Sequence, residues 1–63
     1  MDNTQRVNIK AGLKVSIVQK QNQKTGKLTD GIVKDILTNS PTHHHGIKVR
    51  LMTGEVGRVK KIG

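Results

Sequence analysis

The chain has 63 residues, with 12 Lys or Arg against four Asp or Glu, a net charge of +8, and no Cys, Phe, Tyr or Trp. A chain of this length holds one small core, since a domain of about 60 residues buries only about 60% of its unfolded surface. The lack of cysteine excludes disulfides and thiolate metal sites. The excess of positive charge favours a polyanionic partner, although a basic surface that serves only solubility is the simpler alternative.

The beginning of the chain is mostly polar. It has no apolar run of the kind found in signal peptides, and no segment of the sequence reaches the length of a membrane span. We therefore expect a flexible arm over residues 1–8 and one domain over residues 9–63. We also expect a monomer that is located in the cytoplasm and does not act at a membrane.

The first apolar stretch predicts a strand. Leu13, Val15 and Ile17 alternate with polar residues, which is typical of a half-buried strand. A helix is the competing interpretation, because Ile9 extends the apolar set to a four-residue repeat. Gly12 and the β-branched content weigh against the helix.

A polar loop and a glycine-bearing turn follow this strand. Residues 19–25 contain no apolar side chain, so we expect an exposed loop or the tip of a hairpin. Gly26 and the pair formed by Asp30 and Gly31 predict two bends, because glycine relieves backbone strain and Asp-Gly is a strong turn signal.

Two apolar spacings of three residues interrupt the alternation expected of strands. Val33 and Ile36 can both face the core only if a bulge lies between them. Val56 and Val59 have the same spacing around Gly57, a residue type well suited to a bulge. The sequence therefore predicts one bulge in each of these strands.

The clearest alternation runs over residues 47–52. Ile47, Val49 and Leu51 fall on one face, and Lys48, Arg50 and Met52 fall on the other. A tight turn at residues 53–54 then leads into a partner strand. Short strands separated by turns predict an all-β fold, a small closed or half-closed barrel of about five strands, since closure removes exposed edges.

Two family resemblances agree with this interpretation. Residues 10–18, with Gly26, residues 31–33 and Ile36, resemble the KOW motif of SH3-like barrels, which commonly bind RNA or protein. The chain is also similar to the YwbE family, small and mostly bacterial proteins of unknown function. That similarity lies in residues 8–9, 12–13, 24–28, 31–43, 45–51 and 57–59, with Gly-Ile-Val-Lys-Asp-Ile-Leu-Thr-Asn-Ser-Pro-Thr-His over residues 31–43 as its most specific part.

Basic side chains are the first candidate site. Lys48 and Arg50 share the outer face of their strand, and the neighbouring strand can extend this stripe. The candidate nucleic-acid-binding residues are Lys14, Lys34, Lys48, Arg50, Arg58, Lys60 and Lys61. Because Phe, Tyr and Trp are absent, we expect contacts with phosphate, sugar and groove shape. A merely solvated charged face is the competing interpretation.

The three consecutive histidines are a weaker candidate. His43, His44 and His45 carry imidazoles that can bind zinc or copper, but adjacent residues rarely converge on one ion, so an exposed polar loop is the preferred interpretation. No catalytic constellation and no cofactor motif are evident. We expect a binding protein that is not an enzyme, with RNA or the ribosome as its partner. The alternative is an adaptor that docks an acidic protein through a sheet edge or residues 19–25.

Overall fold

Four antiparallel strands form a closed barrel in the order β1-β2-β3-β4 in the computed structural model, which describes residues 3–63. The strands are β1 (Lys14–Gln19), β2 (Leu28–Ile36), β3 (Lys48–Leu51) and β4 (Val56–Ile62), and β4 pairs with β1 to complete the ring. Single turns of 3₁₀ helix occur at Arg6–Asn8 and Lys20–Asn22. The prediction of an all-β small barrel is confirmed.

The strand count is four in the described part of the chain, against the predicted five. The first half of β2 pairs with β1 and its second half pairs with β3. The register shifts between Val33 and Asp35, so the predicted bulge between Val33 and Ile36 is confirmed. Because the bulge bends the strand, one long strand serves both halves of the barrel and a fifth strand is not required.

The predicted bend at Asp30 and Gly31 is wrong. Both residues lie inside β2, where Gly31 pairs with Val15. A Cβ atom at Gly31 would lie 2.5 Å from Cδ1 of Leu51, so the glycine allows a core side chain to pack against the strand backbone. The predicted bend at Gly26 is confirmed, with a φ of 71°.

The predicted bulge at Gly57 is also wrong. Gly57 pairs regularly with both neighbouring strands, and its Cβ atom would lie 2.5 Å from the carbonyl oxygen of Val18. Glycine is therefore required here for close strand contact. The register shifts instead between Ser16 and Ile17 of β1, which leaves Lys60 as the extra residue of β4.

The core is aliphatic and lies inside the barrel. The alternation predicted for residues 47–51 is confirmed, and the closed strands surround the side chains that the alternation turns inward. The core cluster consists of Ile9, Val15, Ile17, Val33, Ile47, Val49, Leu51 and Val59. Leu13, Ile36 and Ile62 pack against its edges.

The beginning of the described chain lies against the barrel. The Asn3 side-chain amide donates a hydrogen bond to the Val59 carbonyl at 2.7 Å, and the Arg6 backbone N–H donates to the Pro41 carbonyl at 2.8 Å. The predicted arm over residues 1–8 begins with two residues outside the described range, and its boundary stays a prediction. No helix of the described residues combines the length and apolar character needed to cross a membrane.

Candidate nucleic-acid interface

Strands β3 and β4 place two cations directly opposite each other on the outside of the barrel. Lys48 is the register partner of Arg58. Their neighbours Val49 and Val59 are fully buried, so alternation directs Lys48 and Arg58 outward. Opposite side chains of antiparallel strands have Cβ atoms about 5 Å apart. The fold therefore holds two positive side chains side by side.

Arg58 and the bulged residue Lys60 also hold the neighbouring histidine segment, residues 43–46. Nη1 of Arg58 donates a hydrogen bond to the Gly46 carbonyl at 3.1 Å. Nζ of Lys60 donates to the His45 carbonyl at 3.2 Å. Because both acceptors are backbone carbonyls, the two side chains keep their positive charge unneutralised while their positions are fixed.

The three histidine rings lie against one another. The His43 and His44 rings are stacked with centroids 5.3 Å apart, and the His44 and His45 centroids are 4.0 Å apart. Partial desolvation, together with the positive charge of Arg58 and the neighbouring imidazoles, lowers the pKa of His43. Within residues 3–63, no three His, Cys, Asp or Glu side chains are grouped to hold a metal ion.

A groove of about 560 Å³ lies between the histidine segment and the loop that joins β1 to β2. We call it the nucleotide-sized groove. Its lining combines two aliphatic side chains, an amide, an imidazole and two cations: Val18, Leu28, Gln23, His45, Arg58 and Lys60. No carboxylate of the described residues lines this groove. The cations at its wall therefore meet no opposing charge within it.

A second groove of about 630 Å³ adjoins the first and shares Arg58 with it. Lys20 and Lys48 add positive charge to its wall, but Glu55 lines it as well. Hydrogen bonds from the Thr53 hydroxyl and from its own backbone N–H lower the pKa of Glu55, so this carboxylate is ionised at neutral pH. The nucleotide-sized groove is therefore the better place for an anion.

The remaining predicted residues lie apart from this cluster. Arg50 forms an ion pair with Asp35, with Nη1 and Oδ2 3.5 Å apart. Lys61 is the register partner of Ser16, whose hydroxyl donates a hydrogen bond to Asp30 on the next strand. A carboxylate of β2 is thus paired with Arg50, and Lys61 is separated from Asp30 by the strand that carries Ser16.

Lys14 and Lys34 do not join the cluster either. Lys14 starts β1, and Lys34 lies in the bulged part of β2. In the closed order, β2 and β4 are not neighbours, so Lys34 and Arg58 belong to opposite sides of the barrel. Of the seven predicted cations, the structure brings together Lys48, Arg58 and Lys60.

The sequence interpretation did not assign most residues of the two grooves to a nucleic-acid site, among them Lys20, Gln23 and Leu28. Lys20 and Gln23 belong to the loop over residues 19–25, which was predicted as exposed and, in the adaptor alternative, as a docking element for an acidic protein; no role was predicted for Leu28. The available signal was the prediction of this loop as a hairpin tip, which in a closed barrel lies next to another strand. Nothing in the local pattern identifies that strand as β4.

Comparisons with known proteins agree on one family. The family model described as an uncharacterized conserved protein, DUF2196, matches residues 2–62. The "Uncharacterized protein YwbE" of Bacillus subtilis (strain 168) is 58% identical over 62 residues, covering 98% of this chain and 95% of that protein. No solved structure gives a significant match.

Proposed function

The chain belongs to the DUF2196 family of uncharacterized conserved proteins, the family that the YwbE resemblance indicated, and we propose that it binds RNA through phosphate contacts. Lys48, Arg58 and Lys60 are the proposed contact residues. An arginine can grip a phosphate with two N–H groups, and a lysine acts as a point charge. The proposal describes a binding role in the cytoplasm, with no chemical step.

The observation that carries the proposal is the register of Lys48 with Arg58. Like charges directly opposite each other in a sheet are destabilising. Among residues 3–63, the one ion pair joins Arg50 and Asp35, so neither Lys48 nor Arg58 is paired with a carboxylate, although Glu55 lines the groove that they share. A phosphate between the two side chains would turn the repulsion into two attractive contacts.

The distribution of hydrogen bonds gives further support. Arg58 and Lys60 are held by backbone carbonyls, which fix a side chain without neutralising it. Cations whose positions are fixed in advance lose less conformational entropy when they bind a ligand. The net charge of +8 then adds long-range attraction for a polyanion.

Salt dependence tests the proposal. The logarithm of the affinity for a labelled single-stranded RNA should fall with the logarithm of the salt concentration, with a slope near −2, because three phosphate contacts contribute about 0.7 each. Lys48→Gln should lower the affinity and reduce the slope by about 0.7. Lys34→Gln removes the same charge from another side of the barrel and should change the slope little.

Two results would contradict the proposal. One is salt-insensitive RNA binding. The other is an equal loss of affinity in Lys48→Gln and Lys34→Gln, which would indicate attraction by net charge alone. Polyglutamate serves as a competitor in the same assay. If it displaces the RNA at a matched concentration of charge, docking of an acidic protein becomes the better account of the surface.

A further inference from the structure

We propose that the nucleotide-sized groove binds one unpaired nucleotide of the RNA, with the base against Val18, Leu28 and His45 and the phosphate at Arg58 and Lys60. The inference rests on the proposed RNA-binding function. It adds the form of RNA that is recognised, which is single-stranded, and it assigns a role to the histidine segment.

The floor of the groove is apolar. Val18, on the outer face of β1, is only 5% exposed, and Leu28, its register partner on β2, is 43% exposed and supplies most of the accessible apolar surface. Contact with a flat, weakly hydrated base would remove this apolar surface from water, which is favourable. A site for phosphate alone would have no use for such a floor.

His45 supplies a flat ring at the wall of the groove. RNA bases commonly stack on Phe, Tyr, Trp or His, and the chain contains no Phe, Tyr or Trp. The three histidines therefore carry the only aromatic rings in the sequence. The structure places His45 in the groove lining, with its ring centroid 4.0 Å from that of His44. The planes of these two rings are tilted by 45°, so a base that stacks on His45 contacts that ring alone.

The cations at the groove retain donors for a phosphate. A guanidinium has five N–H donors and an ammonium group has three. Arg58 and Lys60 each donate one hydrogen bond to a carbonyl of the histidine segment, which does not exhaust either group. The same two side chains therefore position His45 and contact the phosphate.

The dimensions of the groove favour an unpaired nucleotide. Its volume of about 560 Å³ lies within the range of about 300–1,000 Å³ that is typical of small-molecule sites. A base inside a duplex has both faces stacked and its pairing edge occupied, so it cannot enter. The Gln23 side chain at the wall both donates and accepts hydrogen bonds, as an exposed base edge requires.

The test compares one RNA sequence as a single strand and as a blunt duplex. Both forms of RNA are measured at about pH 8, above the usual pKa range of histidine. His45→Ala should weaken single-strand binding roughly five- to tenfold, the effect expected for one lost stacking contact, and leave duplex binding unchanged. His45→Phe should restore the single-strand affinity. His44→Ala, a matched removal of a ring outside the groove lining, should have less than about half of that effect on the affinity.

The outcomes separate the inference from the proposed function. One contrary outcome is RNA binding with the expected salt slope in which His45→Ala changes the affinities for the single strand and for the duplex equally, or changes neither affinity. In that case the groove does not bind a base, and the inference is overturned. The same holds if His45→Phe fails to restore the affinity. If neither form of RNA binds in a salt-dependent way, the proposed function fails first.

Discussion

The two sides of the barrel carry similar basic side chains in different surroundings. On the side of β4, Arg58 and Lys60 donate to backbone carbonyls and line a groove without a carboxylate among the described residues. On the side of β2, Asp35 pairs with Arg50, and Asp30 accepts a hydrogen bond from Ser16. The cations of the groove are thus held without an ion pair, whereas Arg50 on the other side is paired with a carboxylate.

This difference shows that the number of cations in a strand pattern does not locate a binding surface. A carbonyl fixes a lysine or arginine and leaves its charge available, whereas a carboxylate reduces the charge that a ligand can meet. The backbone partners of Arg58 and Lys60 come from the histidine segment. Residues 43–46 therefore contribute to the binding side through their backbone as well as through their rings.

The largest expected effect is a loss of stability when the packing of the histidine segment against β4 is disturbed. Gly46 has a φ of 103°, and a Cβ atom there would lie 2.4 Å from the Val59 carbonyl oxygen. Gly46→Ala should therefore combine backbone strain with a steric clash and destabilise the protein by at least about 3 kcal/mol. A domain of this size has only a few kcal/mol of stability, so urea denaturation followed by circular dichroism should show a largely unfolded variant.

Gly12→Ala is the matched control on the other side. Gly12 has a φ of 91°, but a Cβ atom there would meet no other atom within 4 Å, and its N–H donates to Val33 of β2. The expected loss is about 1–2 kcal/mol from backbone strain alone. Equal losses in the two variants would show that the packing of the histidine segment is no tighter than that of the β2 side.

A carboxylate placed in the groove should make the β4 side resemble the β2 side. Gln23→Glu puts a negative charge on the groove lining. Repulsion of a phosphate at about 5 Å in water-like surroundings amounts to ~0.8 kcal/mol, so RNA affinity should fall roughly fourfold. Asn39→Glu makes the same change in net charge outside the grooves that contain Arg58. A similar decrease in both variants, measured by fluorescence anisotropy at low salt, would contradict a local effect.

The smallest expected effect is a pH dependence: as the pH falls, the affinity for RNA should rise and the free energy of unfolding should decrease. Protonation of His43 as the pH falls adds a positive charge beside Arg58 and should raise RNA affinity a few-fold. The pKa of His43 is lower in the folded protein than its usual value, so the folded state binds fewer protons than the unfolded state. The free energy of unfolding should therefore decrease as the pH falls through about 6.5 and level off below the folded pKa.

The variant with His43→Gln, His44→Gln and His45→Gln together provides the control for this pH dependence. Because it lacks the imidazoles, this variant should lose the change in affinity and most of the change in stability. Titration of RNA binding and urea denaturation at each pH measure the two quantities. An unchanged pH profile would assign the effect to the RNA or to another part of the protein.

The sequence predicted features that depend on a single strand. The alternation of Ile47, Val49 and Leu51 predicted the buried face of β3, and the spacing of Val33 and Ile36 predicted the bulge in β2. Both patterns follow from the geometry of one strand. They therefore require no knowledge of what lies beside it.

Features that depend on neighbouring strands were not predictable in this way. The Asp30-Gly31 pair has a strong local turn preference, but the packing of Leu51 against Gly31 decides its conformation. The bulge at Lys60 arises from the pairing of β4 with β1. The nucleotide-sized groove needs residues from β1, β2, β4 and two connecting segments, so it exists only once the barrel has closed.

The pairing of β1 with β4 also determines how the protein reaches its native state. Ile17 pairs with Val59, more than half the chain away, whereas the β1–β2 and β3–β4 pairs join strands that are close in sequence. Bringing distant segments together costs chain entropy before any contact compensates for it. We therefore expect the two hairpins to form early and ring closure to limit the folding rate, so that destabilising variants in either hairpin and in the β1–β4 seam slow refolding and change the unfolding rate little.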